Sequence, residues 1–363
     1  MIKPDWTWRA RFLWSYMSGS RAYAGPFAAG IDVTRRCNLN CFGCRTHAPS
    51  SGWRASPQDD DFAWEDFDRI CRELRRMGTR KMALIGEGEP LLHPRLLDMI
   101  AKAKRSGFFV SLFTNGTLFD DRVAPGIATS GLDELRISMW ASDEHEFERN
   151  YGGSSPRMFQ RVLDGARAVS QARPHGHPKV PRMVLHRPID RDYFRGLDRM
   201  VGLARDAGCD ALSFSPLKPM GVAAVDRALD AEEASELRPV LSRVGRLARA
   251  AGLECNDAET LERYRIGNDV WKTVPCYLGW LDVRIRPNGD VQSCGPCRQP
   301  LGNIRRASLA AIWNDQPFRQ FRRRTQTQAG LAGLARDCTC GYCCHVFTNQ
   351  RLHRVLRWLP TLR

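Results

Sequence analysis

Six short runs of β-branched and apolar residues, each followed by a stretch with apolar residues three and four apart, constrain this chain more than any other feature. The runs lie near residues 27–33, 81–86, 108–113, 134–139, 180–186 and 211–215; the helical stretches lie near 64–77, 94–106, 118–129, 156–172, 191–207 and 231–251. Such alternation predicts repeated βα units around a parallel sheet. The stretch over 64–77 shows the pattern: Phe67, Ile70, Cys71, Leu74 and Met77 form one stripe, and Gly78 ends it. The stretch over 231–251 opens with Glu232, Glu233 and Glu236, which suit the positive end of a helix dipole, and stops at Gly252.

Past residue 275 the pattern changes. Leu281 to Arg286, the turn Pro287-Asn288-Gly289-Asp290 and Val291 to Cys294 read as a β-hairpin. The 363 residues give room for a large α/β domain and a smaller companion. The expected division is an N-terminal segment over 1–26, an α/β domain of βα units over 27–251, a connector over 252–275, a small α+β domain over 276–348 and a terminal helix over 349–363. The first segment, with Trp6, Trp8, Arg9, Arg11 and Trp14, predicts an amphipathic helix that packs on the main domain in preference to a membrane surface. Arg45 to Asp61 reads as a long polar loop of the kind that carries function.

Thirteen cysteines, with no apolar run near the ~20 residues needed to cross a bilayer and no secretory signal, imply a cytoplasmic protein with metal or redox chemistry. They are clustered. Cys37, Cys41 and Cys44 follow the first predicted strand, and Cys276, Cys294, Cys297, Cys338, Cys340, Cys343 and Cys344 form a later group. Cys71, Cys209 and Cys255 stand alone in apolar contexts and read as small buried hydrophobes. A zinc site of common type takes four ligands in two pairs, whereas C-x3-C-x2-C offers three from one loop. A [4Fe-4S] cube takes one thiolate per iron, so three cysteines leave one iron open to another ligand.

The formal charge of +15 suggests a polyanion partner, but only seven of the 55 basic residues are lysine, an arginine bias that base composition explains as well. Nucleic acid is therefore not the expected partner. The run Arg322-Arg323-Arg324 reads as the solvated side of a helix.

After the second predicted strand comes Gly86-Glu87-Gly88-Glu89-Pro90, where glycines allow close backbone approach and a carboxylate can accept from an ammonium group. The cysteine triplet after strand one and this turn after strand two resemble the radical S-adenosylmethionine (radical SAM) superfamily over about residues 27–215. The resemblance implies a partial (β/α)6 barrel in which Cys37, Cys41 and Cys44 hold a [4Fe-4S] cluster whose open iron binds SAM. It also implies that Gly86, Gly88 and Glu89 shape the methionine-amino site, with Asn115 and Ser138 at strand ends near the cofactor. One departure stands out: the family's aromatic residue just before the third cysteine is Gly43 here, and the aromatic is Phe42.

The later cysteines, with Leu301-Gly302-Asn303-Ile304 and Ile312-Trp313-Asn314, resemble the SPASM or twitch extension of radical SAM enzymes. No cysteine follows Cys344, which by this resemblance implies one auxiliary [4Fe-4S] cluster of the twitch kind, held by Cys276, Cys294, Cys340 and Cys343. A zinc ribbon built on Cys294/Cys297 and Cys340/Cys343 is the alternative.

The implied activity is reductive cleavage of SAM to a 5′-deoxyadenosyl radical, fed by a reductant such as flavodoxin or ferredoxin, with net oxidation of a substrate. About 26 residues precede the first strand, too few for a peptide-recognition domain of usual size, which favours a small-molecule substrate. Modification of a ribosomally made peptide is the alternative, and a non-catalytic iron–sulfur or zinc protein that binds nucleic acid is the alternative of another class. His47, His93 and His145 are candidate proton donors without a partner in sequence.

Overall fold

The structure, a computed structural model, describes residues 5–44, 46–48, 61–152, 155–174, 180–218, 225–267, 269–295, 297, 299–334 and 343–358. Helix α1 (Trp6–Met17) starts at Asp5, whose carboxylate accepts from Trp8 N at 2.8 Å. Trp8, Phe12 and Tyr16, four residues apart, bury one face against the main body, with the Tyr16 ring 5.7 Å from that of Tyr277. Trp6 and Trp14 remain exposed.

Strand β1 (Ala28–Asp32) leads to the short β2 (Asn40–Cys41), α2 (Trp64–Arg76), β3 (Lys81–Ile85), α3 (Leu96–Arg105), β4 (Phe109–Thr114), α4 (Val123–Thr129) and β5 (Glu134–Ser138). There follow α5 (Glu144–Asn150), the short β6 (Tyr151–Gly152), α6 (Met158–Ala172), β7 (Arg182–Ile189), α7 (Arg199–Asp206), β8 (Ala211–Pro216), α8 (Ala231–Ala250) and β9 (Glu254–Cys255). The later strands are β10 (Asp282–Ile285), β11 (Asp290–Gln292) and β12 (Gly302–Asn303).

The six expected strands are neighbours in the order β1-β3-β4-β5-β7-β8, all parallel. Met82, Leu84, Val110, Leu112, Leu135 and Ile137 are fully buried on one face of this sheet. Alternation puts Ser111, Phe113, Arg136, Ser138, His186 and Ser213 on the other face, half-buried. The α2 stripe of Phe67, Ile70, Cys71 and Leu74 is buried, and Gly78 beyond it adopts φ +87°. Helix α8 opens with a capping box between Asp230 and Glu233.

Two helices are shorter than the periodicity suggests. Asp120 accepts from the amides of Arg122 and Val123, which delays α4 to Val123. Arg191 N donates to Arg227 O and Asp192 N to the Asp190 carboxylate, which holds 190–192 out of helical geometry, so α7 starts at Arg199 after a 3-10 turn over Phe194–Gly196.

The predicted hairpin forms, with Gly289 at φ +84° in its turn. Strand β10 pairs in parallel with β1, and β11 and β12 continue the same sheet, which has ten strands among the described residues. Asn303 caps the hairpin turn by donating to Asn288 O and Asp290 Oδ1, both at 3.0 Å. A Cβ at Gly302 would lie 2.6 Å from Ile312, which explains the small residue there.

The arginine run differs from expectation. Arg322 is fully buried, donates to Gly279 O at 2.7 Å and Ser20 O at 3.0 Å, and stacks 4.5 Å over Trp313; burial lowers its pKa to about 9. It ties the segment after α1 to the C-terminal part, as do Trp313 Nε1 to Ala24 O and the paired amides of Asn314 and Ala22. Cys71 and Cys209 are buried as expected, and Cys255 is half-buried.

Candidate functional site

The cysteine loop leaves the C-terminal end of β1, where working groups gather in parallel α/β folds. It is strapped to the turn after β3: Gly88 N donates to Thr34 O at 3.1 Å and Glu89 N to Arg36 O at 2.8 Å. A Cβ at Gly86 would lie 2.5 Å from Gly88 O, and one at Gly88 only 2.0 Å from Arg36 O. These glycines therefore let the turn lie flat on the backbone that enters Cys37. Arg36 fixes the same entry by pairing with Asp61 and donating to Leu92 O.

Within the loop, β2 pairs with β6, Phe42 N donates to Asn150 O at 3.2 Å, and Cys44 N donates to Cys41 O at 3.0 Å. The His47 amide reaches Cys44 Sγ at 3.2 Å. The Phe42 ring sits edge-on to Trp140, 5.8 Å away, and the Arg227 guanidinium lies 3.8 Å from its centre. A Cβ at Gly43 would be 3.1 Å from the Trp140 ring, so the Trp140 ring crowds the position that lacks a side chain.

Glu89 is buried at the N-terminus of a 3-10 turn. Its carboxylate accepts from Thr114 Oγ1 at 2.6 Å, Asn115 N at 2.7 Å and Leu91 N at 3.0 Å, while burial raises its pKa to about 7. Asn115 also donates to Asn38 Oδ1 at 3.1 Å, which joins the end of β4 to the residue after Cys37. The Ser138 carbonyl accepts from Tyr151 Oη at 3.0 Å, and Tyr151 Oη accepts from Trp140 N at 2.7 Å. Gly88 and Glu89 thus meet Arg36 and Asn115 meets Asn38, the residues on either side of Cys37; Gly86 lies against Thr34, and Ser138 is joined to the triplet through Tyr151 and β6.

All three thiols are free. Burial pushes the Cys37 thiol up to about 12 and Cys41 well above its ordinary value, and both feel the charge of Cys44. Crowded, desolvated thiols carry thiolate charge when a cation compensates them, which is what bound iron supplies. A cube takes each thiolate on a different iron, so three free thiols spread along one loop suit it. The residues present fit a cluster.

In the later group, Cys276 N donates to Thr325 O, the Cys343 thiol lies against Cys344 and within the field of Cys276, and Cys297 N donates to Cys294 O at 3.2 Å. Cys338 and Cys340 lie outside the described residues. His93 is buried between Phe62 O and Arg95 N, a structural position, and His145 is exposed.

The sequence reading missed the charges that join the two cysteine regions. Arg284 on β10 pairs with Asp32 at the end of β1, and Arg286 pairs with Glu87, which also meets Arg35 at 3.2 Å. The only sequence signal for them is an acidic residue between two glycines.

A sequence profile described as the radical SAM superfamily matches residues 31–201, and one described as an iron–sulfur cluster-binding domain, SPASM, matches 276–344. The chain belongs to the radical SAM superfamily. It carries the C-terminal SPASM domain, and with these come a SAM-binding [4Fe-4S] cluster and auxiliary iron–sulfur chemistry.

The chain is 29% identical over 303 residues to a PqqA peptide cyclase of Streptomyces rochei, covering 80% of this chain and 76% of the relative. Streptococcus suis SuiB, crystallised with its precursor peptide SuiA, superposes with a TM-score of 0.66 at 17% identity over 93% of this chain and 76% of that one. Native anSMEcpe with bound AdoMet gives 0.63 at 15% identity over 92% and 100%. Among the described residues no helix is long and apolar enough to cross a membrane.

Proposed function

We propose that this radical SAM enzyme oxidises a peptide substrate, with Cys37, Cys41 and Cys44 holding the SAM-binding cluster. Cys276, Cys294, Cys340 and Cys343 hold one auxiliary cluster in this reading. The observation that carries it is the cysteine loop strapped to the Gly86–Pro90 turn at the C-terminal edge of six parallel strands. The peptide, in place of the small molecule expected from the short N-terminal segment, is favoured by the cyclase relative named for a peptide.

When bound, the cluster and SAM supply a 5′-deoxyadenosyl radical, and the protein's part is to bind, orient and shield. Glu89 would accept from the SAM ammonium, with Asn115 and Ser138 at the neighbouring strand ends. Bound at Cys276, Cys294, Cys340 and Cys343, an auxiliary cluster would supply an acceptor for one electron from the substrate, so that a hydrogen atom, an electron and a proton lost together would amount to two hydrogens. A flavodoxin or ferredoxin in the cytoplasm delivers the initiating electron.

The test is anaerobic turnover with SAM, reductant and candidate peptides, read by mass spectrometry. Loss of two hydrogens from a peptide, with one 5′-deoxyadenosine per event, supports the reading. Regeneration of SAM each turnover with no net oxidation overturns it, and oxidation of a small molecule alone overturns the peptide assignment.

A further inference from the structure

The carboxylate of Glu87 sits between two guanidinium groups that come from the two cysteine-bearing regions. Its Oε2 lies 3.2 Å from Nε of Arg35, two residues before Cys37, and its Oε1 accepts from Arg286, the first residue past β10. Arg286 is held in turn by the buried Gln292, whose Oε1 is 3.0 Å from its Nε. The Glu87 side chain is 9% exposed, against 24% for Arg35 and 17% for Arg286. His47, whose amide bonds Cys44 Sγ, has its ring against the backbone of Arg35 and Glu87, so the trio adjoins both ends of the triplet.

A unit charge in a poorly solvated place acts over a longer range than one in water. The potential of an iron–sulfur centre responds to net charge and hydrogen bonding around it. We propose that Glu87 sets the reduction potential of the cluster at Cys37, Cys41 and Cys44 by balancing Arg35 and Arg286 at the junction with the β10 hairpin. This rests on the assignment of that cluster to those three cysteines. Glu87 and Arg286 are positioning residues here: they hold charge beside the loop and act through it. With Glu87 present the trio carries one net positive charge, and without it two.

The experiment uses the full chain, reconstituted anaerobically with iron and sulfide, and follows the SAM-sensitive paramagnetic signal through a redox titration. Glu87→Gln raises the ratio of reduced to oxidised cluster at a fixed poise about tenfold, or about 59 mV for a one-electron couple. Arg286→Gln moves it the opposite way, and the double variant returns close to the unmodified protein. Glu87→Asp keeps the original potential.

A purely structural role moves both single variants in one direction or neither. Either result, with the signal intact, overturns the proposal. If Glu87→Gln takes up no cluster, the sign of the Arg286→Gln shift decides. A SAM-sensitive signal that survives Cys37→Ser, Cys41→Ser and Cys44→Ser together instead overturns the cluster assignment.

Discussion

Arg284 and Asp32, 252 residues apart, form a two-bond ion pair that joins β10 to β1, with Nε to Oδ2 at 2.7 Å and a second bond from the other guanidinium nitrogen. The Asp32 side chain is 2% exposed, so it relies on this partner. Arg284→Met leaves a buried carboxylate unpaired and costs about 3–5 kcal/mol in chemical denaturation. Adding Asp32→Asn recovers a large part of that loss. Equal destabilisation by the single and double variants would contradict the pairing argument.

Gly88→Ala puts a Cβ 2.0 Å from Arg36 O, a backbone atom that cannot step aside. The expected cost is about 3 kcal/mol, together with poor iron uptake, since the displaced segment runs into Cys37. Gly202→Ala is the matched control: it lies in α7 with nothing within 4 Å of the new carbon. That change is expected to stabilise by about 0.5–1 kcal/mol. Thermal and denaturant unfolding of the two variants checks the pair.

His186 is held between Ser213 Oγ at 3.4 Å and Ser215 Oγ at 3.3 Å. Burial, then the charges of Arg136 and Arg263, lowers its pKa to about 4 from 6.5. The unfolded chain therefore binds more protons between these values, and stability rises with pH across that window. The contribution is complete above pH 6.5, is lost as pH falls through about 4, and amounts to at most about 3 kcal/mol. His186→Asn is expected to flatten the stability profile between pH 4 and 6.5, as followed by urea unfolding.

Much of this was legible in the sequence because it is local. A strand of a parallel sheet reads as a short apolar run, and β3 and β5 end within a residue of where their runs end. Cysteine spacing marked both iron–sulfur regions before any contact was known. What escaped is long-range or depends on surroundings. Nothing near Asp282 announces that β10 will lie beside β1. Arg322 looks like its neighbours Arg323 and Arg324, yet two backbone carbonyls and the Trp313 ring draw it inside. The order of Phe42 and Gly43 depends on Trp140, about a hundred residues away, which lies against both.

Loading of a SAM-cleaving cluster on Cys37, Cys41 and Cys44 is read from nucleoside formation and iron content together. The anaerobically reconstituted protein is treated with SAM and a strong reductant, and 5′-deoxyadenosine is quantified beside iron and sulfide. About eight irons per chain with steady nucleoside formation are expected, and about four irons with none when the three cysteines are replaced by serine. Nucleoside formation that survives the triple replacement, or its absence from the fully loaded protein, would contradict the assignment to those three cysteines.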